Sequence, residues 1–264
     1  MIRFWPLFSG SSGNSVYIGD NNTGLLVDVG RSAKQTTLIL EKFGIDPCSI
    51  KGILLTHEHI DHVNGLRVFS KKYNIPVYAS PATLLALKSK GSLTPEIIDI
   101  AISDAPFEIE GLIVNPFKTS HDCADGRGYV ITGTDGTTKV GIATDTGIVS
   151  SNIMDKLTGC NIVYLESNHD IKMLRTGPYS YDLQKRILSD KGHLSNDTCA
   201  EVLTSLINKG STHFVLAHLS KENNTPQLAY QTSVNALMGA GALENRDYII
   251  RVAQPENTDK PIIL

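Results

Sequence analysis

The chain has 264 residues, 41% of them hydrophobic and 19% charged, a balance that excludes a disordered or fibrous protein. Its formal net charge of −3, from 24 basic and 27 acidic residues, excludes a strongly basic nucleic-acid coat and leaves room only for a local basic patch. A chain of this length can bury one sizeable core and still carry long loops.

Short Val/Ile-rich runs bounded by Gly, Asp, Asn or Pro read as strands at 25–29, 52–55, 76–79, 112–114, 129–132, 140–143, 162–165, 214–217 and 248–252. Helices are expected at 33–43 and 81–88. A third runs from the cap Ser195 to about Lys209, with an apolar stripe of Val202, Leu203, Leu206 and Ile207 and a stop at Gly210. A fourth starts at Thr225-Pro226, cap followed by proline, and turns Leu228, Val234 and Leu237 inward. Residues 254–264, with two prolines, read as a surface tail. This mixture points to an α/β layered architecture, and with no Pro/Gly/Ser linker the expectation is a single domain over residues 1–264. No apolar run reaches the ~18–20 residues of a membrane helix, and the opening residues lack a secretory apolar stretch, so a cytoplasmic protein with no membrane partner is expected. Cys48, Cys123, Cys160 and Cys199 form no CxxC pair and read as reduced thiols.

Residues 51–62 run Lys-Gly-Ile-Leu-Leu-Thr-His-Glu-His-Ile-Asp-His, an apolar strand that ends in His57, His59, Asp61 and His62. Three imidazoles and a carboxylate this close suit zinc or another borderline metal. In extended backbone His57 and His59 share a side, whereas Asp61 and His62 are offset and can face a second ion. The chain then enters a helix with Val63, Leu66 and Phe69 on one face. Further along, Asp145 follows the strand ending Ile-Ala-Thr, His218 follows Phe-Val-Leu-Ala, and His121 follows Phe-Lys-Thr-Ser, while His193 sits in Gly-His-Leu-Ser before the Ser195 helix. Sheets gather ligands beyond the carboxyl ends of their strands, so these residues can converge.

This string of His57-x-His59-x-Asp61-His62, then His121, Asp145 and His218 in that order, resembles the metallo-β-lactamase fold superfamily, with no departure at the seven positions. Phe8-Ser-Gly-Ser-Ser-Gly-Asn-Ser15, Glu166-Ser-Asn-His-Asp170, Gly192-His-Leu-Ser-Asn196 and His218-Leu-Ser-Lys-Glu-Asn-Asn224 further resemble its YycJ/WalJ subfamily over nearly the whole chain. The resemblance implies a four-layer αβ/βα sandwich with two divalent metal ions (zinc or manganese, with iron possible) at one edge. By it, His57, His59 and His121 hold one ion, Asp61, His62 and His218 the other, and Asp145 bridges. It also implies a bacterial cytoplasmic phosphodiesterase acting on nucleic acid, expected to be a 5′-to-3′ DNA exonuclease that uses a hydroxide held between the metals. His193 corresponds in place to a histidine near the scissile phosphate and is the expected proton donor. Asp61 combines ligation with proton acceptance, and Glu166, His169 and Asp170 are candidates to orient the ligands.

Ser9–Ser15, with four serines and two glycines, is open to two readings: a phosphate cradle of backbone N–H groups, or a tight turn under the metal loop. The stretch 171–191 carries Lys172, Arg175, Lys185, Arg186 and Lys191 against Asp182 and Asp190, with Tyr179 and Tyr181 interleaved, which fits a nucleic-acid strand near the metals. The alternative activity is a thioester or other small-molecule hydrolase of the glyoxalase II kind, which shares all seven ligands. A β-lactamase would want a signal segment and a cysteine in place of Asp145. A di-iron reductase would want a glutamate in place of His59 and a flavin domain. A closed structural zinc site needs only four ligands.

Overall fold

A computed structural model describes residues 2–20 and 23–264. Its first sheet contains β1 (Arg3–Phe8), β2 (Ser15–Gly19), β3 (Gly24–Val27), β4 (Ile50–Leu54), β5 (Val77–Ala79) and β6 (Asp99–Ala101). The second contains β7 (Phe107–Ile109), β8 (Leu112–Lys118), β9 (Arg127–Thr132), β10 (Lys139–Ala143), β11 (Ile162–Glu166), β12 (His213–Ala217) and β13 (Ile249–Val252). The final strand, β14 (Ile262–Ile263), returns to the first sheet outside β1. Both sheets follow one rule. Their early strands pair antiparallel, and from β3 and from β10 onward they pair in parallel.

The side-chain period of two sorts each strand onto two buried faces. In β11, Ile162 and Tyr164 point between the sheets while Val163 and Leu165 point outward; in β12, Val215 and Ala217 oppose Phe214 and Leu216 in the same way. The outer face of the first sheet packs under α1 (Ala33–Lys42), α2 (Ile60–Val63), α3 (Leu66–Tyr73) and α4 (Pro81–Ser89). The outer face of the second packs under α5 (Ser151–Leu157), and two short helices, α6 (Ile171–Thr176) and α7 (Tyr181–Ile187), precede α8 (Asn196–Ile207) and α9 (Pro226–Gly239), which complete that layer. Helix, sheet, sheet, helix is the expected four-layer αβ/βα sandwich. None of the helices among the described residues is long and apolar enough to cross a membrane.

The helix starts follow their side chains. Ser32, Ser80, Ser195 and Thr225 each accept the N–H three residues on, with Pro81 and Pro226 at the first helical positions. The helix expected after the histidine motif is interrupted: α2 ends at Val63, capped by Asn64, and α3 begins after Gly65, although Val63, Leu66 and Phe69 are all buried as expected.

Residues 254–264 are not a free tail. Ile262 and Ile263 pair with Phe4 and Arg3, and buried Asn257 donates its side-chain amide to Pro6 O (2.7 Å) and its backbone N–H to Leu7 O (3.1 Å). Those bonds satisfy an edge that β14 is too short to cover. The apolar Ile-Ile pair between polar neighbours is too brief a run to read as a strand.

Gly30 sits where the turn after β3 meets the histidine loop. A Cβ there would lie 1.8 Å from Asp61 O and 2.4 Å from Asn14 N, both backbone. Gly30→Ala is expected to lower stability by about 1–3 kcal/mol or more, read as a reduced urea midpoint. Gly239→Ala, where a Cβ meets nothing within 4 Å, should be neutral or stabilising by up to ~1 kcal/mol.

Candidate metal centre

Six strands end at one place. Within the first sheet, β3 and β4 run parallel and release Asp28 and the His57–His62 loop at neighbouring carboxyl ends. In the second, β8 and β10 are both antiparallel to β9, so they point the same way and deliver His121 and Asp145 together. The parallel strands β11 and β12 add Glu166 and His218 beside them. Three of these residues, Asp28 (φ 63°), Asp145 (φ 55°) and His218 (φ 52°), are left-handed. That region is uncommon for a side chain with a Cβ, and Asp and His tolerate it better than most. Here it turns the chain sharply at the strand end and aims Asp145 and His218 into the cleft and Asp28 onto the ring of His62.

The seven residues expected as ligands do converge. His57, His59 and His121 each offer an atom within 4.8 Å of the others, as do Asp61, His62 and His218, and a third such group joins His57, His62 and Asp145. A fourth joins Asp145, Glu166, His193 and His218, so Asp145 stands in two of the four. His57, His62, Asp145 and His218 are at most 3% exposed, whereas His59 and Asp61 face the opening.

Each ring but one is held by its Nδ1. Asp28 Oδ2 lies 2.7 Å from His62 Nδ1, and Thr56 Oγ1, which donates to the same Asp28 oxygen, lies 3.0 Å from His57 Nδ1. Gly192 O sits 3.0 Å from His121 Nδ1, and Glu166 Oε1 sits 2.8 Å from the Nδ1 of both His218 and His193. With Nδ1–H donating outward, Nε2 keeps its lone pair for the centre. Glu166 is fully buried and fully used, since its Oε2 accepts the N–H groups of Leu194 (3.1 Å) and Thr146 (3.2 Å). It orients rings and has no oxygen left over. Asp28, likewise buried, accepts from Thr56 N, Thr56 Oγ1 and His62.

The donor set fits a divalent cation. His57 Nε2 and Asp145 Oδ2 are buried without a hydrogen-bond partner among the described residues, a costly state unless a cation meets them. The charge balance points the same way. Burial alone would depress His62 and His218, but Asp145 acting on both, with Asp28 on His62 and Asp61 and Glu166 on His218, pushes each well above its ordinary value. His57 goes the other way, held far below its usual range by burial and by the imidazoles of His62, His121 and His59. The carboxylates gathered around His62 and His218 are the negative charge that a cation would balance.

His193, the expected proton donor, lines a cleft of about 260 Å³ with His59, Asp61 and Asp145. Burial opposes its charge, but Glu166 more than offsets this and raises it. The motif reading of Glu166, His169 and Asp170 divides three ways. Glu166 grips two rings. Asp170 caps α6 by accepting Met173 N–H. His169 is buried, is depressed to about 4 by burial, and has neither ring nitrogen hydrogen-bonded among the described residues, so it grips none of the other rings. For Ser9–Ser15 the hydrogen bonds are those of a turn under the metal loop. Gly10 N donates to Asn14 Oδ1, Asn14 N donates to Asp61 O, and Ser9 Oγ accepts His218 N. Sequence reading passed over Asp28, Thr56 and Asn14; Asp28 had the same signal as Asp145, a carboxylate at a strand's carboxyl end.

Residues 9–180 match the metallo-beta-lactamase superfamily. The chain is 38% identical over 229 residues to exodeoxyribonuclease YycJ of Bacillus anthracis, covering 86% of each protein. It is 34% identical to exodeoxyribonuclease WalJ of Streptococcus pneumoniae, covering 97% of this chain and 95% of that one. Among solved structures, the metallo-beta-lactamase fold protein YhfI of Bacillus subtilis superposes with a TM-score of 0.72 over 97% of both chains at 16% identity, which speaks for the fold. The convergence of seven donors at one edge of paired sheets, and identity to two relatives along most of their length, place this chain in the metallo-β-lactamase superfamily and, within it, in the family of the exodeoxyribonucleases YycJ and WalJ.

Proposed function

We propose that the chain is a metal-dependent phosphodiesterase that degrades DNA from the 5′ end. The observation that carries this reading is the set of seven donors gathered at one place, with every ring but that of His59 fixed through its Nδ1, and with His193 beside them on a carboxylate shared with His218. Kinship with two exodeoxyribonucleases narrows the substrate class. On this reading His57, His59 and His121 hold one divalent ion, Asp61, His62 and His218 hold a second, and Asp145 serves both. Zinc and manganese suit this mix of imidazole and carboxylate, and iron is compatible. Such ions polarise phosphoryl oxygens and acidify water.

The remaining work falls to the protein's own groups. Asp61, partly open to the cleft, accepts the proton lost by the attacking water. His193, whose Nδ1 is engaged by Glu166, gives a proton from Nε2 to the departing 3′ oxygen. Arg186 and Tyr179 also line the cleft, and Arg186 is paired with Asp122, the neighbour of His121. On the same helix Tyr181 is 69% exposed, with Lys185 Nζ 4.6 Å from its ring centre. A positively charged helix with an accessible aromatic ring suits a nucleic-acid backbone and its bases.

The direct test supplies manganese or zinc and offers 5′- and 3′-labelled DNA, RNA, bis-p-nitrophenyl phosphate and a glutathione thioester. Release of label from the 5′ end, abolished by chelation, is expected; thioester cleavage with every phosphodiester intact would replace the substrate class. His193→Ala should keep its metal content and lose about 10²–10⁴-fold in DNA turnover. It should lose far less on bis-p-nitrophenyl phosphate, because p-nitrophenolate departs without a proton. Asp28→Asn should weaken metal affinity by about 10–100-fold, measured by competition with a chromogenic chelator.

A further inference from the structure

A second cavity opens beside the metal cleft. It has a volume of about 530 Å³, within the ~300–1,000 Å³ of small-molecule sites. Ser11 and Ser220 line both cavities, so the two are neighbours with these serines at their shared edge. The walls differ in kind. The metal cleft is lined by imidazoles and carboxylates, whereas the second cavity is walled by Leu219, Pro226, Ala253 and Pro255. Its rim carries Lys221, which is exposed and makes no ion pair among the described residues. The floor is fixed: buried Asn224 donates its side-chain amide to Ser167 O and Asn168 O, and Ser220 N–H donates to Asn168 O.

We propose that this cavity is a nucleoside subsite, which takes the base and sugar next to the phosphodiester held at the metals. The inference rests on the phosphodiesterase reading for its orientation. Its physical content is separate: apolar walls suit a base, hydroxyl groups at the shared edge suit a sugar, and the lysine suits a neighbouring phosphate. Arg186 and Tyr179 line the metal cleft alone and Ser11 and Ser220 line both cavities, so on this proposal a strand held by the basic helix reaches the metals and places its terminal nucleoside past the two serines. A pocket of this size beyond the metals sets a short cleavage step.

The test uses thymidine, which has no phosphate and no reason to seek the metals. Thymidine titrated into 15N-labelled protein should shift the amides of Leu219, Ser220 and Ala253, whereas inorganic phosphate should shift those of the metal cleft. Ala253→Trp, which fills the cavity, should weaken the thymidine response and raise KM for a DNA oligonucleotide by about tenfold or more. Metal content and the inorganic-phosphate response should stay the same. Thymidine shifts absent from the cavity, or unchanged by Ala253→Trp, would overturn the subsite, as would an equal loss of the phosphate response in that variant. Failure of the protein to cleave any phosphodiester would instead overturn the activity and leave the thymidine result to decide the cavity.

Discussion

The centre depends on one constraint: an imidazole that must face inward through Nε2 needs a partner behind its Nδ1, and every ring of the centre but that of His59 has one. Two of those partners are buried carboxylates, and a buried carboxylate is itself expensive unless its lone pairs are filled. Asp28 meets this with three donors and Glu166 with four. The layer that orients the rings is therefore as fully determined as the rings themselves. It also explains the left-handed backbone at Asp28, Asp145 and His218, a strain of order 1–3 kcal/mol each that only a well-tied surrounding structure sustains.

The ties cross the whole molecule. Ser9, just past β1, accepts the backbone N–H of His218 and the hydroxyl of Tyr164, so the first strand's end is fastened to the second sheet. Asn14 lies 3.2 Å from Asp61 Oδ2 and 3.1 Å from His62 Nε2, which fastens the same loop to the first sheet's ligands. On the opposite wall, the segment before α8 acts at three points. Gly192 O holds His121, His193 reaches the cleft, and Leu194 N–H fills Glu166. Gly192 cannot carry a side chain there, because a Cβ would meet Ile187 O at 2.1 Å.

Much of this was legible in the sequence because the chemistry is written at strand ends. The segments 52–55, 140–143, 162–165 and 214–217 that lead to His57, Asp145, Glu166 and His218 are apolar runs buried on both faces, and each stops at a polar residue. The four capped helices were equally plain. What escaped was of another kind. β1 and β2 carry Pro6 and bracket a serine-glycine loop, so neither shows the expected alternation, and β14 is two residues long. Orienting groups such as Thr56 and the Gly192 carbonyl have no signature of their own, since any residue can supply a carbonyl and only the fold says which one lies behind a ring. The Ser9–Ser15 loop shows the limit from the other side: its composition suits a phosphate cradle, and only the hydrogen bonds to Asp61 and His218 assign it to the scaffold.

The most direct test of the centre is anomalous X-ray scattering from crystals of protein loaded with zinc or manganese. The account predicts two peaks at the metal's absorption edge, one among His57, His59, His121 and Asp145 and one among Asp61, His62, His218 and Asp145. An occupied crystal with no peak at this edge of the sheets, or with its ion bound elsewhere, would contradict it.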